Sequence, residues 1–111
     1  MHEWIKEFPA AITVCDTEGI IIEMNDKAIS TFANYGGAEL IGKNLYDYHP
    51  EHCNPIIKDM LQTGKPHSYT IQKGELKKLI YQQPWFKDGA IAGVVEMSLV
   101  LPAEMPHYVR S

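Results

Sequence analysis

The residues with the clearest capacity for chemistry lie in one short segment, His49-Pro-Glu-His52-Cys53. Imidazole and thiolate groups bind zinc and iron. A structural zinc site needs four ligands, however, and no second cluster follows in the sequence at a suitable spacing. The sequence therefore argues against a metal site. The alternative is a solvated loop at the start of a helix, with Cys53 buried.

Enzymatic motifs are also missing. The sequence contains no G-x-S-x-G, no H-E-x-x-H and no glycine-rich phosphate loop. Asp47 and His49 are close in sequence, but a base without a nucleophile does not make a mechanism. Glu96 would be a candidate acid or base only if it pointed into a cavity, and strand alternation predicts that it faces away from the apolar side. We predict that the protein is not an enzyme.

Length and charge narrow the class of protein. The 111 residues are enough for a single domain with one core. A net charge of −4 and scattered basic residues argue against binding to nucleic acid. No apolar run approaches the roughly 20 residues that cross a bilayer, and no signal peptide is recognisable. Two cysteines, Cys15 and Cys53, are expected to stay reduced, so we expect a cytoplasmic protein that does not contact a membrane.

Glycine and proline divide the first half of the chain into short elements. Residues 2–8 predict a helical turn that Pro9 ends, and residues 11–16 and 20–24 predict a hairpin around Gly19. Asn25 is placed to cap a helix that ends before Gly36-Gly37. Short helical pieces follow. Apolar residues at spacings of three and four then predict a longer helix from Cys53 to Leu61, which stops at Gly64.

The second half reads as three strands, at residues 68–73, 76–86 and 90–101, with turns at Gly74 and at Lys87-Asp88-Gly89. In the last strand the odd positions are apolar, so we expect these to face the core and Glu96 and Ser98 to face away. Pro84 should lie at an edge or a bulge. Two strands, several helices and three strands predict an α+β fold, with short helices on one face of a five-stranded antiparallel sheet.

Two motifs at a fixed spacing carry a resemblance to a known family. The turn Asp16-Thr-Glu-Gly19-Ile-Ile21-Ile-Glu-Met-Asn25 is followed by Glu39-Leu-Ile-Gly-Lys-Asn-Leu45 and His49-Pro50-Glu51. Leu61-Gln-Thr-Gly64-Lys-Pro66, Pro84 and Ala92-Gly93-Val94-Val95 follow in order. In this order the motifs resemble a PAS domain over residues 8–101. We divide the single domain, 1–111, into an N-terminal helical cap (1–9), a PAS core (10–101) and a tail (102–111).

The resemblance implies a sensory and signalling function rather than catalysis. PAS domains enclose a pocket between sheet and helices, and they sense small molecules, redox state or light. They also act as dimerising modules in two-component kinases, cyclases and transcription regulators. We expect a small apolar or aromatic ligand, or a signalling effector protein as partner, with signal transduction by a shift between conformations.

The pocket is expected to be lined by side chains from the short helices, the long helix and the sheet. These are Ile41, Leu45, Tyr46, Ile57, Met60, Leu61, Tyr69, Ile71, Tyr81 and Met97. The alternative is a filled core in a purely structural dimerisation module, because a domain this small needs its apolar residues simply to fold.

Two cofactors known in this family are weighed against the sequence. Haem-binding PAS domains use a histidine on the long helix, and only His52 comes close to that place. Flavin-binding relatives carry a reactive cysteine on a short helix, where this chain has Leu45 in Gly42-Lys-Asn-Leu-Tyr-Asp47. The sequence therefore argues against haem and flavin, and the cofactor is left unassigned.

Exposed apolar residues are expected to make the protein a homodimer. Trp4, Ile5 and Phe8 form a stripe on the first helical turn, and Ile80 and Val94 are expected on the convex face of the sheet. Such patches usually mark interfaces, and a two-fold dimer is the commonest closed assembly. The alternative is that the helical turn covers the sheet of its own chain.

Overall fold

The computed structural model of the chain describes residues 1–48 and 54–111. Its centre is an antiparallel five-stranded sheet in the order β2-β1-β5-β4-β3. This confirms the α+β fold with short helices that the sequence predicts. The strands are β1 (Ala11–Asp16), β2 (Ile21–Met24), β3 (His67–Lys73), β4 (Leu76–Lys87) and β5 (Ala90–Leu101).

Short helices occupy the stretch between β2 and β3. The α-helices are α1 (Glu3–Lys6), α2 (Asp26–Thr31) and α3 (Asn54–Thr63), and 3-10 helices lie at Ala33–Tyr35, Gly37–Leu40 and Leu45–Asp47. Helix α3 buries Ile57 and Met60, and Gly64 follows it with φ at +76°. That left-handed conformation ends a helix at little cost only for glycine. The stop predicted at this residue is therefore confirmed.

The first and last strands of the sheet lie side by side. Ala11 pairs with Ser98 and Asp16 pairs with Gly93, so β1 runs antiparallel to β5 at the centre of the sheet. Gly93 is required by close packing, because a Cβ atom there would meet the Cys15 carbonyl oxygen and the Trp85 indole nitrogen. The Trp85 Nε1–H donates to that same carbonyl at 3.0 Å. A side chain of β4 thus reaches across β5 to hold β1.

The two motifs of the first half of the chain meet at the edge of β2. The Ile21 and Gly42 amides donate to the Lys43 and Ile21 carbonyls at 2.9 and 2.7 Å, and the Leu45 amide donates to the Gly19 carbonyl at 2.8 Å. Tyr46 lies on Gly19 so closely that a Cβ atom there would be 2.6 Å from its ring. The loop therefore covers an edge strand that could otherwise pair with another chain.

Asn25 joins three parts of the chain at a fully buried position. Its Oδ1 accepts from the Ala28 amide at 3.1 Å, which confirms the predicted helix cap, and also from the Ile12 amide at 2.9 Å. Its Nδ2 donates to the Ile5 and Ala10 carbonyls at 3.1 and 2.7 Å. One amide side chain therefore fixes α2, β1 and the segment before β1 relative to one another.

The core lies between the inner face of the sheet and the helices. Its buried residues are Ala11, Cys15, Ile21, Met24, Ala28, Leu40, Leu45, Ile57, Met60 and Val94. In α1, by contrast, no side chain is buried, and the Trp4 and Phe8 rings pack edge-on against each other with centroids 6.2 Å apart. Residues 102–111 form neither helix nor strand and are exposed.

Candidate functional site

A cavity of about 480 Å³ lies between the inner face of the sheet and the helical segment. Its helical side is apolar, with Phe32, Leu40, Leu45 and Ile57 among the lining residues. This volume is within the range of small-molecule sites, about 300–1,000 Å³, which combine apolar walls with a few placed polar groups.

The sheet side of the cavity carries a row of polar residues from neighbouring strands. Thr13 of β1 is paired with Glu96 of β5, Glu96 with Gln82 of β4, and Gln82 with His67 of β3. Residues directly opposite on adjacent strands have Cβ atoms about 4.5–5.5 Å apart and so can interact. Thr13, Glu96 and Gln82 line the cavity. We call these four residues the polar row.

Hydrogen bonds connect three members of the polar row. The Gln82 Nε2–H donates to Glu96 Oε1 at 2.9 Å, and Gln82 Oε1 lies 3.0 Å from His67 Nδ1. An ionised carboxylate only accepts hydrogen bonds, so the NH₂ side of the Gln82 amide must face Glu96. The amide oxygen then faces His67, whose Nδ1 can donate to it in the tautomer that is protonated there. Gln82 is buried, so this amide is held by its two partners.

The prediction that Glu96 and Ser98 face away from the core is wrong. Both line the cavity, as does Val94, so the even positions of β5 form its inner face. Both faces of β5 carry apolar residues, and alternation alone therefore does not decide which is inside. Here the inner face borders a cavity with polar groups, while the more uniformly apolar face points outward.

The same inversion corrects two residues predicted on the convex face. Ile80 and Val94 are only 7% and 5% exposed and line the cavity. Tyr81 and Met97, predicted to line the pocket, are paired with each other on the opposite face of the sheet. The β4 and β5 residues were assigned to the wrong faces because alternation fixes which residues share a face but not its direction.

The other predicted pocket residues divide into two groups. Leu45, Ile57, Tyr69 and Ile71 line the cavity. Four of the predicted residues lie outside the lining: Met60 belongs to the buried core, Tyr46 and Leu61 pack against it, and Ile41 is 43% exposed.

Sequence reasoning did not select the polar row. Of its members only Glu96 was considered, and it was placed on the wrong face. The polar row can be recognised only when the registers of three strand pairs are known, because His67, Gln82 and Glu96 are far apart in sequence. Ser98, which also lines the cavity, was placed on the wrong face together with Glu96.

Lysines lie at the other end of the cavity. Lys73 and Lys78 are part of its lining. Lys78 is four residues from Gln82 along β4, which corresponds to about 13 Å of extended strand. Among the described lining residues, Glu96 and these two lysines carry formal charge, so the two ends of the cavity have opposite sign.

Cys15 lies on the inner face of β1, buried and part of the cavity lining. Burial raises the pKa of its thiol to about 11, and the charges of Asp16 and Glu96 act in the same direction. The Val94 backbone hydrogen bond lowers this pKa but does not offset burial. A thiol in this setting is a poor nucleophile, since the thiolate is the reactive form.

Tyr46 supports the site from outside the lining. Burial raises the pKa of its hydroxyl, and Lys58 Nζ lies 5.3 Å from the centre of its ring. The ring rests on Gly19, whose φ of +83° places it in the left-handed region. This contact fixes the 3-10 helix that carries Leu45 against the hairpin turn.

The predicted metal and haem residues His49, His52 and Cys53 lie outside the described residues. In residues 1–48 and 54–111, no group of three or more His, Cys, Asp or Glu side chains could hold a metal ion. Leu45, which takes the place of the flavin-reactive cysteine, is buried and lines the cavity. Over the same described ranges, no helix has the length and apolar character needed to cross a membrane.

Comparison with protein families shows which class this fold and cavity define. A model described as PAS fold matches residues 5–72, which is more than half of the chain. The chain belongs to the PAS family and is a sensory and signalling domain. A comparison with curated protein sequences found no match.

Solved structures show the same fold at low sequence identity. The Aer2 receptor from Vibrio cholerae, described as a dual PAS-haem oxygen sensor, is 20% identical with a TM-score of 0.63, covering 84% of this chain and 95% of that one. The PAS domain of histidine kinase ThkA is 22% identical with a TM-score of 0.66, covering 81% and 97%. A VqmA–ligand–DNA complex from Vibrio cholerae is 14% identical with a TM-score of 0.71, covering 88% and 49%.

Proposed function

We propose that this PAS domain is a cytoplasmic sensor that binds a small apolar or aromatic ligand in the cavity and reports it through the sheet. The observation that carries the proposal is the cavity of about 480 Å³, with apolar residues on the helical side and the polar row on the sheet. A core that served only to fill space would gain nothing from hydrogen-bonded polar side chains facing an open volume.

The sheet offers a route for the signal. Glu96 and Thr13 are paired, and Thr13 is next to Ile12, whose amide is held by Asn25. Asn25 in turn holds the segment that carries α1. A ligand that binds one arrangement of β1 and β5 better than another would shift the population toward it. The change would reach α1 through contacts that already exist.

Filling the cavity tests this proposal. Ser98→Phe places a ring in the cavity, and Leu99→Phe places the same ring on the opposite face of the same strand. We expect wild type and Leu99→Phe to retain ligand mass in native mass spectrometry and to gain thermal stability from bound ligands. Ser98→Phe should lose both.

If the protein is instead a structural dimerisation module with no ligand, the opposite result is expected. Protein purified from cells, and the same protein mixed with a library of small apolar compounds, would then show no added mass and no change in melting temperature. A Ser98→Phe variant that still bound a compound as wild type does would also contradict the proposed site.

A second candidate function follows from Glu96. A carboxylate facing an apolar cavity can act as a general acid or base when its pKa is raised, and the inward position of Glu96 is the observation on which an enzymatic interpretation depends. Turnover would appear as a change in mass of a bound compound over hours. That change should be lost in Glu96→Gln while binding persists.

Apolar surface outside the cavity is available for binding another protein. Trp4 and Phe8 are 67% and 41% exposed, and Tyr81, Met97 and Leu99 form part of an apolar outer sheet face. We propose that these surfaces bind a second copy of the chain, or a signalling effector in a two-component or transcriptional system. Exposed apolar patches of this kind commonly mark interfaces.

A further inference from the structure

The polar row places a carboxylate on the sheet side of the cavity. Glu96 lies on β5, with Thr13 opposite it on one side and Gln82 on the other. Moving charge out of water is unfavourable unless the charge is paired or hydrogen-bonded. Glu96 is hydrogen-bonded to Gln82, and as part of the lining it also offers the cavity a group that can pair with a cationic part of a ligand.

Gln82 donates a hydrogen bond to the Glu96 carboxylate. Its amide NH₂ donates to Glu96, and its oxygen is turned toward His67 Nδ1. A carboxylate can accept about four hydrogen bonds, so Glu96 can hold a ligand donor together with its protein partners. The Gln82 bond also fixes the direction in which the carboxylate is presented.

The distribution of charge favours one sign of ligand at this point. Of the two lysines of the lining, Lys78 is about 13 Å along β4 from Gln82, and Lys73 is about 20 Å along β3 from His67. An anionic group placed beside Glu96 would meet a like charge in a partly enclosed space. A cationic group there would form a charge-assisted hydrogen bond, which is stronger than a neutral one.

We propose that the cavity binds a small apolar or aromatic molecule that carries a protonated amine. The amine lies against Glu96 and the apolar body lies against Leu45 and Ile57 on the helical side. This inference rests on the proposed ligand-binding function and adds the chemical class of the ligand. Glu96 is its binding residue, and Gln82 is a positioning residue.

Three probes with one body and three head groups test the proposal. These are 2-phenylethylamine, 2-phenylethanol and 3-phenylpropionate. Dissociation constants are measured from amide shifts of cavity residues in ¹⁵N-labelled protein at neutral pH. We expect the amine to bind about tenfold or more tightly than the alcohol, the ratio that one charge-assisted hydrogen bond provides. The carboxylate should bind weakest.

Glu96→Gln removes the charge with almost no change in shape, and we expect the amine and the alcohol to bind this variant within about twofold of each other. Glu23→Gln is the matched control, since it makes the same substitution and charge change at an exposed residue outside the lining. It should keep the preference for the amine. If Glu96→Gln fails to fold, the relative affinities of wild type for the three probes still test whether the cavity prefers an amine.

The outcomes separate the two proposals. If no probe shifts any cavity residue, the inferred amine class is overturned, whereas the ligand-binding function is contradicted only if the library of small apolar compounds also fails to bind. If the probes bind without preference, or the carboxylate binds best, the cavity binds ligands but the inferred amine class is overturned. A preference for the amine that survives in Glu96→Gln also overturns it, because another group must then be responsible.

Discussion

Single residues of this domain take their properties from the face of the sheet on which they lie. Glu96, Gln82 and Cys15 all lie on the inner face, yet one carries charge, one is an amide held by two partners, and one is a thiol kept neutral by burial. The polar groups are thus arranged side by side across the strands, within a site whose helical wall is apolar.

Cys15 gives a pH dependence with a definite sign. Its thiol pKa is raised from 9.0 to about 11 in the folded protein, so the folded state keeps the proton where the unfolded state has lost it. This contribution to stability is complete below pH 9 and is lost as pH rises from about 9 to about 11. Wild type should therefore lose more stability across this window than Cys15→Val, both measured by urea unfolding in a Cys53→Ser background.

The same thiol should be slow to alkylate. At pH 8 its thiolate population in the folded protein should be about 100-fold below that in the unfolded chain, because each pKa unit is a factor of ten. Mass spectrometry of Cys53→Ser protein treated with iodoacetamide, with and without urea, measures the difference. Equal rates in the two conditions would show that the thiol is not protected.

Secondary-structure elements are held together here by side chains as well as by strand pairing. Trp85 reaches from β4 to the β1 carbonyl of Cys15, and Asn25 joins α2, β1 and the segment that carries α1. Both contacts connect parts of the chain that are distant in sequence. Trp85 thereby joins two strands within the sheet, and Asn25 couples the sheet to the N-terminal segment.

Asn25→Ala is expected to be among the more destabilising substitutions. It removes an acceptor from the Ile12 and Ala28 amides and a donor from the Ile5 and Ala10 carbonyls, all at a fully buried position. Lost buried hydrogen bonds of this kind cost about 2–4 kcal/mol in unfolding free energy.

Asn44→Ala is the matched control for that loss. Asn44 caps a 3-10 helix by accepting from the Tyr46 amide at 2.9 Å and is only partly buried. Loss of such a cap costs about 1 kcal/mol. Urea unfolding of the two variants measures the difference, and equal losses would mean that the Asn25 bonds to the N-terminal segment contribute nothing.

The elements could be predicted from the sequence, but the contacts between them could not. Glycine and proline mark nearly every boundary, which is why the hairpin, the stop at Gly64 and the C-terminal strands are recovered. The cap at Asn25 is a local pattern and was predicted. Its bonds to Ile5 and Ala10 depend on where the chain before β1 lies. That position is a tertiary property.

The candidate site was predicted less well, for a physical reason. Four of ten predicted lining residues line the cavity, and those on β4 and β5 were placed on the wrong face. The usual rule puts the more apolar face of a strand inside. It fails for β5, because the inner face borders a cavity and carries Glu96 and Ser98, while the outer face is more uniformly apolar.

At the scale of the whole molecule, the two faces of the sheet differ in what they border. The inner face of the sheet borders the cavity, and the outer face carries partly buried apolar residues such as Val95, Met97 and Leu99. Trp4 on α1 and Phe8 just after it add exposed aromatic surface. Ligand and partner would bind opposite sides of one thin sheet, so either could influence the other through the strands.

Assembly gives the prediction at this scale. We expect wild type to sediment as a homodimer at micromolar concentration and Trp4→Ala/Phe8→Ala to shift toward monomer, because the double substitution removes exposed apolar surface. Tyr108→Ala is the control, since it removes an aromatic side chain that is 71% exposed in the tail. Analytical ultracentrifugation measures all three. A wild type that stays monomeric, or a dimer indifferent to the double substitution, would contradict the proposed interface.

The pairing of Ala11 with Ser98 has a practical consequence for protein engineering. Because β1 and β5 are antiparallel neighbours, the start of β1 and the end of β5 lie next to each other at the same end of the sheet. A domain with adjacent entry and exit points can be grafted into a surface loop of a carrier enzyme without forcing the carrier's two flanks apart. A shift of one of these strands past the other would then change the distance between the two points at which the domain is joined to the carrier.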